Sequence, residues 1–200
     1  MGAPLVLASS SVARANLLRA CGLDFEIEAS GASEAPLAGD AAARTLGLAV
    51  EKARTVAARR DDGSCVIGCD TLLESRFGAV GKFLNVADAL VWWMAHRRST
   101  VTAVTAQIVA LGSRRVGGVT MVRVSLGDFS RTECAEYLSE ETPLSAAGAL
   151  AIQSLGSAFV DSIDGDPTAL IGLSMSLLRR QLRSLDLDLL SYLQQHPSVP

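Results

Sequence analysis

The chain has 200 residues, of which 49% are hydrophobic and 20% are charged, and its formal net charge is -3 at pH 7. This length and apolar content predict a folded chain with ample core and exclude an intrinsically disordered protein. The small negative charge excludes a general attraction to nucleic acid or to an anionic membrane, so an anion site must come from a local cluster of basic groups.

The first predicted element is a strand over residues 5–7, which ends at three serines and leads into a helix. Serine hydroxyls at a helix N-terminus cap free backbone N–H groups, and those groups attract phosphate together with the helix dipole. Ser9 and Ser11 lie in this turn, and Arg14, one turn into the helix, adds a bidentate phosphate donor. Taken alone, the segment is more typical of an ordinary capped helix than of a phosphate site.

The following elements predict an α/β fold with a mixed sheet, because strands and helices alternate along the chain. A small-residue loop over residues 31–39 carries Glu34, and Asp40 caps a long helix over residues 41–59. The later predicted elements are a strand over 65–69, a hairpin-like segment over 72–83, a helix over 86–98, a hairpin with strands over 100–111 and 119–126, a helix through residue 138, strands over 149–153 and 158–163, a turn over 164–167 and a helix over 173–185.

Asp70 is the best candidate acid, because a carboxylate at the end of an apolar strand lies at the sheet edge where α/β folds place ligands. It could hold a divalent metal or orient water, or it could simply cap a turn with Thr71. Lys52 and Lys82 are the only lysines among 18 basic residues, a bias that indicates positions where a compact ammonium group is required. Two ordinary exposed lysines are the alternative, and a solvent-exposed acid is the alternative for Glu34.

Several classes of protein are excluded by missing signatures. The chain has no P-loop, no dinucleotide-binding glycine pattern and no G-x-S-x-G motif, and its two histidines are too far apart in sequence to suggest a catalytic triad or a metal site. No apolar stretch reaches the roughly 18 residues that span a bilayer, and no signal peptide is recognised. Four scattered cysteines fit a reducing cytoplasm, so we expect a cytoplasmic protein with no nucleic-acid or membrane partner.

Seven short motifs resemble one family when they are taken together and in order. They are LASSSVAR, SGASE with Glu34, LAVEKA with Lys52, IGCDT with Asp70, GK at Lys82, AGALAIQ with Gln153 and IDGDPTALIGL. Over residues 5–182 the chain is similar to the Maf family of nucleotide pyrophosphatases, relatives of the inosine-triphosphatase-like enzymes. The resemblance implies one α/β domain over residues 1–186 with a C-terminal tail over 187–200, and an elongated mixed sheet with flanking helices and a cleft between two lobes.

The resemblance also implies an activity. This is metal-dependent hydrolysis of a nucleoside triphosphate to the monophosphate and pyrophosphate, with Mg²⁺ or Mn²⁺, in the removal of non-standard or surplus nucleotides. Asp70 would be the catalytic carboxylate and a metal ligand, and Glu34 would support the metal. The implied substrate-binding residues are Ser9, Ser11, Arg14, Lys52 and Lys82 at the phosphates and Thr71 and Gln153 near the base.

The chain departs from the family pattern close to these motifs. The family usually has Pro-Arg where this chain has Val12 and Ala13, Pro where it has Phe83, and Asp-Lys where it has Ser145 and Ala146. The change at 145–146, with Ser174 and DGDPTALIGL, resembles the branch that includes 7-methyl-GTP pyrophosphatases. Thr71 and Gln153 instead resemble the dTTP/UTP branch, so the sequence predicts the substrate class and leaves the base open.

Two other functions stay open at this point. A nucleotide-binding regulator of septum formation with little or no turnover is one, because the family is linked to septum control and the lost basic residues at 13 and 146 would weaken catalysis. An α/β domain without an anion site is the other. Apolar surface on the helix with Trp92 and Trp93 and on the 100–126 hairpin predicts a homodimer, unless both tryptophans are core residues.

Overall fold

The computed structural model describes residues 3–32 and 38–194, and these residues form one seven-stranded mixed sheet with helices on both faces. The strands are β1 (Leu5–Leu7), β2 (Glu26–Ile27), β3 (Cys65–Ser75), β4 (Gly78–Val80), β5 (Thr100–Leu111), β6 (Arg114–Leu126) and β7 (Val160–Asp164). The helices are α1 (Val12–Ala20), α2 (Ala41–Ala57), α3 (Val86–His96), α4 (Arg131–Ser139), α5 (Glu141–Leu144), α6 (Pro167–Ile171) and α7 (Met175–Ser184).

The strand order is β2-β1-β3-β5-β6-β7, with β4 paired to the outer part of β3. β1 is parallel to β2 and to β3, and all other pairs are antiparallel. The predicted α/β class with a mixed sheet is therefore confirmed. Because the side chains of a strand alternate between its two faces, Leu7 and Ile67 face α1 and α7 while Val6 and Val66 face α2.

The backbones of α2 and β3 touch at Gly68. A Cβ atom on Gly68 would lie 2.3 Å from the Ala49 carbonyl oxygen and 2.8 Å from the Ala53 Cβ, which is closer than real contacts allow. Only glycine therefore permits this approach, and the small alanines on α2 complete it. The contact fixes the height of Lys52, one turn from Ala49, above β3.

The structure corrects four details of the predicted elements. β3 continues to Ser75, so Asp70 lies in the middle of a strand and not at its end. The predicted strand over 149–153 is wrong, because a 3-10 turn with left-handed φ values at Gly148 and Ala149 occupies its start. β6 begins at Arg114 and not at residue 119, which shortens the hairpin loop to two residues. The turn predicted over 164–167 leads directly into a short helix, α6, that was not predicted.

An aromatic cluster fills the core beneath α3 and α4. The ring centroid of Trp93 lies 5.6 Å from that of Phe129, 5.2 Å from that of Tyr137 and 5.6 Å from that of Phe159. Trp93 Nε1 donates to the Gly148 carbonyl oxygen at 2.9 Å. Trp92 and Trp93 are both buried, which agrees with the alternative that places both rings in the core.

The described residues after α7 pack back onto the N-terminal part of the chain. The amide of Asp24 donates to the Tyr192 carbonyl oxygen at 2.7 Å, and Leu23 and Leu193 form an antiparallel bridge. Tyr192 packs in the same core cluster as β1 and α1. Within residues 3–32 and 38–194, no helix combines the length and the apolar character that crossing a membrane requires.

Candidate functional site

A cleft of about 650 Å³ opens beyond the carboxyl end of β1, alongside the middle of β3. Its walls come from the start of α1, from one face of α2, from the middle of β3, and from residues 81–84 and 145–153. The predicted site residues that line it are Ser9, Ser11, Arg14, Lys52, Asp70, Thr71, Lys82 and Gln153. Glu34 lies outside the described residues. Ligand sites at the carboxyl ends of parallel strands are common in α/β sheets.

The N-terminus of α1 forms one wall of the cleft. Ser11 is the N-cap, and its hydroxyl accepts from the Arg14 amide at 3.4 Å, while the Ser9 hydroxyl accepts from the Ser11 amide at 3.2 Å. Four N–H groups at a helix N-terminus lack intrahelical acceptors, so the amides of Val12 and Ala13 stay available at the cleft wall. With the helix dipole they favour an anion there.

Arg14 is buried, and it joins three parts of the chain. Its Nε donates to the Gly172 carbonyl oxygen at 2.8 Å, and its Nη1 donates to the Ser9 hydroxyl at 3.1 Å and to the Cys69 carbonyl oxygen at 3.2 Å. Its Nη2 donates to the Thr71 hydroxyl at 3.2 Å. Because a guanidinium has five N–H donors, these contacts leave little for a ligand. The arrangement holds Ser9 and Thr71 in place, and a direct phosphate contact by Arg14 stays a prediction.

Lys52 and Asp70 form a buried ion pair at the floor of the cleft. Lys52 Nζ lies 2.8 Å from Asp70 Oδ1, and the two side chains are 9% and 11% exposed. Buried charges are stable only when they are paired and hydrogen-bonded, so each residue depends on the other. The pair explains why β3 runs through Asp70, since the carboxylate is neutralised inside the fold. Beside it, burial raises the pKa of the Cys69 thiol to about 11, which keeps Cys69 neutral.

Three polar residues occupy the outer part of the cleft. Lys82 and Gln153 are exposed, and both line the same space as Asp70. Arg44, half-buried on α2, also lines it and is not among the predicted site residues. The four-residue spacing of positions 44, 48 and 52 indicates that Arg44 shares a face with Lys52, because residues at this spacing lie on one side of a helix.

The acidic residues of the cleft are few. Asp70 is the one carboxylate among the described residues that line it, and the described part of the chain contains no group of three or more His, Cys, Asp or Glu side chains able to hold a metal. The site is therefore dominated by donors: hydroxyls, helix amides, two lysines and two arginines around a single aspartate. Such a set is suited to a polyanion.

A family model of Maf-like proteins matches residues 4–185. The chain belongs to the Maf-like family. This Maf-like chain is 38% identical over 192 residues to a nucleoside triphosphate pyrophosphatase of Salinispora tropica, which covers 92% of the chain and 85% of the relative. It is 40% identical over 185 residues to a nucleoside triphosphate pyrophosphatase of Streptomyces coelicolor, covering 90% of each. It is also 39% identical over 186 residues to a 7-methyl-GTP pyrophosphatase of Aromatoleum aromaticum, covering 90% of the chain and 94% of the relative.

Proposed function

We propose that this Maf-like chain hydrolyses a nucleoside triphosphate to the nucleoside monophosphate and pyrophosphate. The observation that carries the proposal is the buried Lys52–Asp70 pair, 2.8 Å apart, in a cleft that also contains the N-terminus of α1. The names of the relatives in Salinispora tropica and Streptomyces coelicolor support the same reaction. We further propose that Thr71 and Gln153, which line this cleft, contact the base.

Hydrolysis of a phosphoanhydride requires neutralised phosphate charge and an aligned water more than covalent help from the protein. The Ser9–Ser11 turn, the amides of α1 and the two lysines bind the phosphates. Lys52 occupies Oδ1 of Asp70, so Oδ2 is the atom that accepts the proton of the attacking water. The water oxygen forms a new P–O bond at the α–β anhydride, and pyrophosphate leaves with the electrons of the broken P–O bond.

The reaction is proposed to use Mg²⁺ or Mn²⁺. Mg²⁺ keeps several waters and takes one or two carboxylates together with substrate phosphates, and one cleft carboxylate fits that need. Asp70 would hold the metal, with Glu34 as the second carboxylate. When bound, the metal would neutralise charge on the phosphates. We expect chelation with EDTA to abolish pyrophosphate release and added Mg²⁺ to restore it; full activity after chelation contradicts this part of the proposal.

The central test is the substitution Asp70→Asn, which keeps the shape of the side chain and removes the proton acceptor. We expect pyrophosphate release to fall by about 10²- to 10⁴-fold. Asp24→Asn is the matched control, because Asp24 is exposed and lies near Tyr192, outside the cleft lining. Thermal unfolding and nucleotide titration of both variants separate lost chemistry from lost folding. Near wild-type turnover in Asp70→Asn refutes the mechanism.

A regulator of septum formation that binds nucleotide without turnover is the second candidate. The neutral side chains of Ala13 and Ala146 in the cleft lining favour it, because cations at these positions would add to phosphate stabilisation. A panel of nucleoside triphosphates that includes dTTP, UTP and 7-methyl-GTP decides between the two. Binding without pyrophosphate release over hours supports the regulator, and turnover of any member supports the hydrolase and identifies the preferred base.

We also propose a cytoplasmic location, supported by four free thiols. A homodimer stays a proposal that cannot use the rings of Trp92 and Trp93, since both are buried. Val91 on α3 and Met121 on β6 are exposed apolar side chains on the two elements that the dimer prediction names. Sedimentation across micromolar concentrations tests the dimer, and a single species at the monomer mass excludes it.

A further inference from the structure

Arg44 is a cation of the cleft to which the proposed mechanism gives no part. Its side chain lines the cleft and is half-buried. Several arginines of the described chain form ion pairs with carboxylates, such as Arg54 with Glu51 at 2.7 Å. The side chain of Arg44 forms no hydrogen bond or ion pair with another described residue. A guanidinium that is partly removed from water and has no acceptor within the described residues is suited to an anionic ligand.

The position of Arg44 follows from the geometry of α2. Arg44, Leu48 and Lys52 are spaced four residues apart and all line the cleft. At a rise of 1.5 Å per residue, the backbone of Arg44 is about 12 Å from that of Lys52 along the helix. Lys52 is buried at the floor beside Asp70, whereas Arg44 is only half-buried. Arg44 therefore approaches the ligand from nearer the mouth of the cleft.

The segments that carry Arg44 and Lys82 both pack against the side chain of Leu72. Ala41, one turn before Arg44, packs against Leu72. Gly81, next to Lys82, approaches the same side chain, since a Cβ atom there would lie 3.4 Å from Leu72 Cδ2. α2 and the segment after β4 thus meet across Leu72, and each brings one cation to the cleft rim. An anion bound between two such cations attracts both and offsets their mutual repulsion.

We propose that Arg44 binds the outer phosphates of the nucleoside triphosphate together with Lys82. The proposal rests on the proposed function. The guanidinium presents parallel N–H donors that match two phosphate oxygens, and Lys82 adds a point charge from the other side. The base and ribose of a nucleotide carry no negative charge, so the outer phosphates are the groups that two rim cations recognise.

The test compares Arg44→Ala and Arg44→Lys with the wild-type chain. In Arg44→Ala we expect KM for the triphosphate to rise by about 10- to 100-fold, with kcat changed by less than about threefold. The inhibition constant of inorganic pyrophosphate rises by a similar factor, and that of the nucleoside monophosphate is unchanged. Arg44→Lys recovers part of the lost affinity, because lysine restores the positive charge but not the paired N–H donors of the guanidinium. Arg54→Ala is the control, on the same helix but outside the cleft lining.

Three results overturn the proposal. One is an unchanged KM in Arg44→Ala, and another is weaker inhibition by the monophosphate with unchanged inhibition by pyrophosphate, which assigns Arg44 to the nucleoside end. If the wild-type chain releases no pyrophosphate, the proposed function fails, and calorimetry with inorganic pyrophosphate still decides on Arg44. Weaker binding by Arg44→Ala then supports its role, and equal or absent binding in both proteins is the third overturning result.

Discussion

The cleft and the aromatic cluster share one sheet but are stabilised in different ways. In the aromatic cluster Trp93 and Tyr137 bury large rings, and the polar atom of each ring donates to a backbone carbonyl oxygen. In the cleft the buried groups are polar, and Arg14, Lys52 and Asp70 are satisfied by hydrogen bonds and by an ion pair. Burial of the rings stabilises the fold directly. A buried ion pair contributes little net stability, and its effect is to hold the two charged side chains in place.

The two regions meet in the segment from Gly148 to Gln153. Trp93 Nε1 donates to the Gly148 carbonyl oxygen at 2.9 Å, and Tyr137 bonds to the backbone of Ala149 and Ala151. The same segment carries Gln153 to the cleft. The aromatic side chains therefore support one cleft wall from behind. Substitutions in the cluster should reduce stability first, and those at the cleft floor should reduce activity first.

Trp93→Ala is the largest expected effect on stability. It removes a fully buried ring from the centre of the cluster and leaves the Gly148 carbonyl without its donor, so we expect a loss of about 3–5 kcal/mol in the free energy of unfolding. Chemical denaturation measures it. Val91→Ala, on the exposed face of the same helix, is the control and should change stability by less than about 0.5 kcal/mol. Equal effects of the two substitutions would contradict a large contribution of the aromatic cluster to stability.

Gly68→Ala tests the contact that joins α2 to β3. The added Cβ would meet the Ala49 carbonyl oxygen at 2.3 Å, so the helix must move and take Lys52 away from Asp70. We expect a loss of about 1–3 kcal/mol in stability, with a fall in kcat/KM of about 10²-fold at temperatures where the variant is folded. Steady-state kinetics beside a melting curve separate the two. Wild-type kinetics in a folded variant would show that the pair tolerates displacement.

Tyr137→Phe tests the support of the cleft wall. The hydroxyl donates to the Ala149 carbonyl oxygen at 2.8 Å and accepts from the Ala151 amide at 3.0 Å, so its removal leaves two buried backbone groups unpaired. We expect a loss of about 1–3 kcal/mol in stability and a higher KM with little change in kcat. Tyr192→Phe is the control, because the Tyr192 hydroxyl lies beside the Cys65 thiol in the core cluster of β1 and α1, away from the cleft wall. A destabilised control with an unaffected Tyr137→Phe would contradict the account.

The smallest effect concerns Asp166, the N-cap of α6, and it appears as a pH dependence. Burial raises the pKa of Asp166, but hydrogen bonds from Ser174, Thr168 and Ser176 outweigh it and hold the pKa below its usual value. A carboxyl with a lowered folded-state pKa stabilises the fold above its unfolded pKa of about 3.9, and this stability is lost as the pH falls through the folded value. Unfolding free energies of the wild type and Asp166→Asn should therefore converge in acid, and a constant difference between pH 7 and pH 3 would contradict this.

Local patterns predicted a large part of the fold and site. The serine-capped start of α1, the long helix after Asp40 and the hairpin of β5 and β6 depend on neighbouring residues, and each is present. The family resemblance implied that Lys52, Asp70 and Lys82 share one site, and all three line the same cleft. Local chemistry was sufficient wherever a cap, a turn or a helix face determined the structure.

Long-range contacts explain the rest. The length of β3 depends on its ladder with β5, which continues from Asp70 through Glu74, and on the neutralisation of Asp70 by Lys52. The apolar residues at 149–153 suggested a strand, but hydrogen bonds from Trp93 and Tyr137 hold a turn there. The many protein acceptors of Arg14 and the rim position of Arg44 depend on distant segments that no window of sequence contains.

The sheet topology also has a consequence for the order in which the molecule assembles. β5 and β6 are joined by the two residues between Leu111 and Arg114, so their ladder closes at small entropic cost. The parallel pairing of Leu5 with Cys65 must instead bring together chain positions separated by the whole of α1 and α2. Such pairings form slowly. A full-length chain that refolds from denaturant would thus acquire its antiparallel ribbon early and its anion-binding turn late, so ligand binding reports a late stage of folding.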